Sequence, residues 1–153
     1  MTTANERFIP PAFTNHSPLT WYQAAASRPG CIQDASQRKA IECLDKLWTE
    51  LMMFKRKRNR FLGRSLRSPQ LPKGLYFYGG VGRGKSFLMD VFYGCLPYRR
   101  KRRVHFHAFM AEIHRRLREL KSEQDPLKSV AAEIARETRV LCFDEFHVSD
   151  IAD

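Results

Sequence analysis

At 153 residues, with 43% apolar and 28% charged side chains, the chain has the composition of a soluble globular protein and not of a disordered one. Its 27 Lys and Arg outnumber 16 Asp and Glu, a net charge of +11 that favours anionic partners without naming one. No apolar run nears the roughly 18–20 residues of a membrane span, and the N-terminus has neither a signal-peptide nor a transit-peptide build. The four scattered cysteines (Cys31, Cys43, Cys95, Cys142) form no CxxC pair and read as reduced thiols of a cytosolic chain.

Residues 1–30 read as an irregular tail and one short helix, and residues 31–153 as the N-terminal part of a nucleotide-binding domain. Ser17-Pro18 supplies an N-cap and a first-turn proline for the short helix, which Pro29-Gly30 stops. Asp34 and Gln37 form a capping box for a helix over 34–56, with Ile41, Leu44, Leu47, Trp48, Leu51 and Met52 at helical spacing. A basic linker follows to Pro72, broken by Gly63, Ser65, Ser68 and Pro69. The apolar, aromatic run 74–78 predicts a buried strand, and Lys85–Tyr93 a helix ending at Gly94. Val104–Phe109 reads as a strand merging into a helix that carries Met110, Ile113, Leu117 and Leu120. Asp125-Pro126 caps a helix to about Thr138, and Val140–Phe143 is a third buried strand. Strands alternating with helices imply an α/β fold with a mostly parallel sheet.

The charge is concentrated. Residues 55–67 hold seven cations and no acid, and five consecutive cations fill 99–103. Such blocks can bind phosphate backbones or acidic headgroups by counterion release, so nucleic acid is an open partner through 55–67 and 98–103. The blander reading of each is a solvated loop. Neither interleaves the aromatics of a single-strand stacking platform.

Between the first predicted strand and the next helix stands Gly79-Gly80-Val81-Gly82-Arg83-Gly84-Lys85-Ser86, which fits the Walker A pattern G-x-x-x-x-G-K-[ST]. Glycines let successive backbone N–H groups wrap phosphate oxygens, and the following helix offers its positive end to the same anion. Lys85 is a flexible charge for the β- and γ-phosphates, and the Ser86 hydroxyl a ligand for Mg2+. The apolar run Val140–Phe143 ends in Asp144-Glu145, the Walker B pattern: Asp144 for Mg2+, Glu145 to orient or deprotonate the attacking water. Together the two motifs imply a site that binds and hydrolyses ATP or GTP.

Other candidates are weaker. His105 and His107 share a face of the expected strand and His114 follows on the next helix, but a metal site needs a further ligand that the sequence does not identify. They read as structural or hydrogen-bonding groups, with nucleotide sensing or partner contact as the alternative. Gln33 and Gln37, beside Asp34, either begin the helix or reach an adenine edge.

The runs GLYFYGGVGRGKSFLMDVFY, RRVHFHAFM, DPL and VLCFDEFHVSDIAD resemble the ZapE cell-division ATPases of bacteria, which share a family with the lactation-elevated ATPases of mitochondria. The resemblance covers roughly residues 30–153 and is carried most specifically by FDEF directly before VSDIAD. It implies an AAA+-type P-loop ATPase that uses ATP and Mg2+ and works with the division ring and its tubulin-like FtsZ polymer. It further implies a cytoplasmic protein, peripheral at most to the inner membrane, that self-associates at full length. A helicase-loader-like ATPase on nucleic acid is the alternative, as is a fragment with little activity, since members of that family are longer. The later water-positioning residue, arginine finger and second sensor have no counterpart here.

An AAA+ sheet runs in the order 5-1-4-3-2. The strand at 74–78 would then lie between two strands that this sequence does not supply, and only the strands near 104–107 and 139–143 would pair. A GTPase-like order would instead make all three contiguous.

Overall fold

The computed structural model describes residues 16–27, 35–59, 70–80, 84–120 and 124–146. The tail, the Pro29-Gly30 stop, Gln33, Asp34, the basic residues 60–67, Val81–Arg83 and the VSDIAD run all lie outside them. The chain divides into two compact units between Pro97 and Tyr98.

Three helices make the first unit: α1 (Pro18–Ala26), α2 (Ala35–Asn59) and α3 (Lys85–Cys95). Helix α1 starts as its sequence predicts, with the Ser17 hydroxyl accepting from the Thr20 N–H and proline in the first turn. Asp45 of α2 accepts the Leu19 N–H at 2.9 Å and ties the two helices. Helix α2 runs past the expected end through Arg56, Lys57 and Arg58, cations that suit the negative end of a helix dipole. Trp21, Tyr22, Ile41, Leu44, Leu88, Val91 and Phe92 are buried, and Ile41 and Val91 are wholly enclosed. Fully burying such a side chain contributes about 1.5–3 kcal/mol.

Helix α3 does not end at Gly94, as expected, but encloses it and ends at Cys95. The Cys95 carbonyl accepts the Trp48 indole N–H at 2.9 Å, so this helix end is satisfied without a left-handed glycine.

The expected buried strand at 74–78 is also corrected. Residues 70–80 form no ladder, and Tyr76 and Tyr78 are 66% and 87% exposed, their rings stacked at 6.3 Å. A strand exists only where a neighbour takes its N–H and C=O groups. Among the described residues none runs beside this one.

The second unit runs β1 (Lys101–His105), α4 (Phe106–Glu119), α5 (Pro126–Glu137), β2 (Val140–Asp144). The two strands pair in parallel, with Arg102 opposite Leu141, Val104 opposite Phe143 and His105 opposite Asp144. This is the one pairing that the AAA+ order predicted. Three contiguous strands, as a GTPase-like order requires, are not formed by the described residues. Strand β1 begins inside the basic run and ends at His105, so Phe106 and His107 belong to α4 and not to the strand.

The reason is that the arginines of this run have acidic partners far along the chain. Arg102 pairs with Glu112, and Arg103 holds Asp144 through two hydrogen bonds of 2.6 and 3.1 Å. Arg116 lies between Glu112, Glu133 and Glu137 at 2.8, 3.2 and 2.9 Å and joins α4 to α5. Asp125 caps α5 as predicted, its carboxylate accepting the Lys128 N–H at 3.1 Å. The apolar part is thin. Helix α4 buries no residue, and Val130 and Cys142 are the enclosed side chains of α5 and β2. Phe143 meets Phe106 and Phe109 edge-on, at 5.7 and 4.9 Å between centroids.

Candidate phosphate loop and acidic strand end

Helix α3 opens on Gly84, whose φ of 74° lies in the left-handed region that glycine enters freely. The first intrahelical bond runs from Leu88 N–H to Gly84 O at 3.0 Å, and Gly84, the N-cap residue, has no side chain to cap the first turn of α3. That turn also lacks an acidic residue. An uncapped, acid-free helix start is a ready anion site, because the first N–H groups and the helix dipole point the same way.

The Lys85 ammonium folds back on the loop and donates to Gly79 O at 2.8 Å and Gly80 O at 2.7 Å. Two neutral carbonyls orient the ammonium without cancelling its charge, which stays available to an anion. Gly79 also has a positive φ, of 149°, and a side chain there would be strained. Ser86 is exposed in the first turn of α3. Val81, Gly82 and Arg83 lie outside the described residues.

In the second unit, Asp144 is the last residue of β2 and Glu145 follows it at a φ of 51°. A left-handed glutamate is uncommon and costs on the order of 1 kcal/mol, and such backbone clusters at functional sites. The turn leaves the Glu145 side chain 70% exposed at the carboxyl end of the sheet, the edge where parallel α/β sheets place ligands. The His105 Nδ1 lies 3.8 Å from a Glu145 oxygen. Strand β1 thus sets Arg103 against Asp144 and His105 against Glu145. The Arg103 contact carried no motif in the sequence; its only signal is a two-residue alternation along β1. Below Asp144 on β2, burial pushes the Cys142 thiol up to about 11.

Each unit by itself offers donor types that a magnesium nucleotide uses: an anion cradle and the Ser86 hydroxyl in the first, and the Asp144 carboxylate in the second. No cluster of three or more His, Cys, Asp or Glu converges on a metal-sized site among the described residues. His107 and His114 are exposed on α4. Gln37 lies against Gly84, its amide nitrogen 2.7 Å from where a Gly84 Cβ would stand. The basic run 98–103 is not a free polycationic loop, since Arg100 donates to Arg136 O and Arg102 and Arg103 are ion-paired.

An α/β chain with a parallel strand pair and the Walker pattern at a glycine-led helix start is of the P-loop NTPase class. The AFG1-like ATPase family matches residues 16–153, and the chain belongs to that family. It is 40% identical over 148 residues to the cell division protein ZapE of Escherichia coli K12, an alignment covering 90% of this chain and 40% of that protein. An uncharacterized protein of Schizosaccharomyces pombe is 36% identical over 91% of this chain and 38% of its own length. Lactation elevated protein 1 homolog B of Danio rerio is 50% identical over 96 residues, 56% of this chain and 19% of that protein. The chain therefore spans 40% or less of the length of these relatives. No solved structure matches it. No helix among the described residues is long and apolar enough to cross a membrane.

Proposed function

We propose that this chain carries the ATP-binding part of an ATPase, with Gly79 to Gly84 as its phosphate loop, Lys85 as the loop's cation, and Asp144 and Glu145 as the acidic pair of hydrolysis. The observation that supports it most is the start of α3, uncapped and free of acid, with the Lys85 ammonium folded onto the loop carbonyls. Lys85 would exchange those two carbonyl acceptors for phosphate oxygens, a charge-assisted bond in place of neutral ones. Ser86 and Asp144 would hold Mg2+, which when bound neutralises charge between the β- and γ-phosphates. Glu145 would orient the attacking water and take its proton, and its exposed position at the strand end leaves room for that water.

Membership of the AFG1-like ATPase family supports the reading. The name of the Escherichia coli relative extends it to a protein that acts in cell division, and a cytoplasmic location is part of the same proposal. There it would couple its nucleotide state to a protein partner and self-associate as AAA+ ATPases do. The test is binding of a fluorescent ATP analogue in the presence of Mg2+. The chain should bind it, and Lys85→Ala should weaken binding about 10- to 100-fold, the loss of one charged hydrogen-bond donor. Binding that survives Lys85→Ala unchanged would overturn the proposal.

A further inference from the structure

Gln37 occupies an unusual place for a polar side chain on the second helix. A Cβ built on Gly84 would meet its Nε2 at 2.7 Å and its Cδ at 3.3 Å, but its Oε1 only at 3.9 Å. The amide thus fills the volume a side chain at position 84 would need, with its nitrogen end towards the loop. The other end is fixed by Tyr22, whose hydroxyl donates to Gln37 Oε1 at 3.4 Å. Tyr22 is itself buried in α1, and its ring and that of Trp21 lie 6.5 and 6.1 Å from the Phe87 ring, on the first turn of α3. All of these residues belong to the first unit.

From this geometry we infer that Gln37 is a positioning residue for the phosphate loop, latched by Tyr22 and seated on Gly84 so that helices α1 and α2 hold the loop's last turn in its anion-binding form. Gly84 has more backbone freedom than any other residue could have at that point. Unbraced, the turn leaves its positive φ of 74° for part of the time, and the N–H groups of α3 then no longer converge. A loop that is competent for only a fraction of the time binds its ligand more weakly by that fraction. Gln37 therefore acts through Gly84 rather than on the nucleotide's base, which answers the question its position in the sequence left open. The inference rests on the phosphate-loop reading above and deepens it.

The experiment uses the full chain, a fluorescent ATP analogue, and the variants Gln37→Ala, Tyr22→Phe and the double variant. Gln37→Ala should weaken binding about five- to tenfold, the range of one lost hydrogen bond. Tyr22→Phe should weaken it by a smaller factor, about two- to threefold. The double variant should be no weaker than Gln37→Ala, because both changes break one latch. Amide hydrogen exchange without nucleotide gives a second readout. Exchange at residues 84–87 should speed up in both single variants, while the rest of α3 stays protected. Additive losses in the double variant, or unchanged exchange at 84–87, would overturn the inference. Tyr22→Phe removes one oxygen from a ring that otherwise stays packed, so it keeps the test open if Gln37→Ala folds badly. If the chain binds no nucleotide, the phosphate-loop reading fails by itself, and exchange at 84–87 still decides whether the latch exists.

Discussion

The two units hold together by different means. In the first, Ile41, Leu44, Leu88, Val91 and Phe92 form an apolar core. In the second, α4 buries nothing, and Arg102, Arg103 and Arg116 join strands and helices through carboxylates. Apolar burial has no charge to titrate or to screen, whereas ion pairs respond to both pH and ionic strength. The first unit should therefore be the less sensitive of the two to pH and ionic strength.

The largest expected effect is in the apolar unit. Leu88→Ala, at 4% exposure, should cost about 2–5 kcal/mol. Both tryptophans, Trp21 and Trp48, lie in this unit, so their fluorescence follows its unfolding alone. A denaturation midpoint unmoved by Leu88→Ala would mean that this core does not exist.

Next comes Arg116→Ala in the ionic unit, at about 1–3 kcal/mol for charged hydrogen bonds removed from a side chain only 15% exposed. Circular dichroism should register the loss from α4 and α5 while tryptophan fluorescence stays unchanged. Simultaneous change in both signals would contradict the division into two kinds of core.

Acid should separate the units as well. The Arg102 hydrogen bond, with desolvation opposing it and Arg116 adding to it, holds Glu112 below the ordinary carboxylate range, and Arg116 does the same for Glu137. A carboxylate whose folded pKa is depressed stabilises fully above its unfolded value, here 4.5, and loses that contribution as pH falls through the lowered one. As pH falls below 4.5, helical dichroism should fall before tryptophan fluorescence shifts. The reverse order would sink the comparison.

The smallest effect concerns the thiols. Cys43 is exposed, and Cys95 and Cys142 are buried. Iodoacetamide at neutral pH should label Cys43 and spare the other two, as read by mass spectrometry. For Cys142, with its folded pKa raised from 9.0 to about 11, the stabilisation is complete below 9.0 and disappears as pH rises through 11. Equal labelling of Cys43 and Cys142 would contradict the enclosed strand.

What could be read in the sequence was local. The Ser17 and Asp125 caps and the apolar spacing of α2 are written within a few residues of where they act, and each of these elements formed. Pairings over distance were not legible. RRKRR looked like a solvated block because its partners, Glu112 and Asp144, lie ten to 41 residues away. Residues 74–78 have the composition of a buried strand, but a ladder also needs a neighbour, which composition cannot supply. Gly94 looked like a helix stop because the indole that satisfies the helix end, Trp48, lies on another helix. Of the proposed site, the glycines, Lys85, Asp144 and Glu145 could be named from the sequence. Their neighbours, Gln37 against Gly84 and Arg103 paired with Asp144, became visible only in three dimensions.

The central question is whether the start of α3 receives a polyphosphate. Amide hydrogen exchange of the chain with and without Mg-ATP tests this directly. Added nucleotide should slow exchange in 79–88, where the N–H groups of the loop and of the first turn of α3 would be taken up by phosphate. Exchange there that is the same with and without Mg-ATP would contradict it.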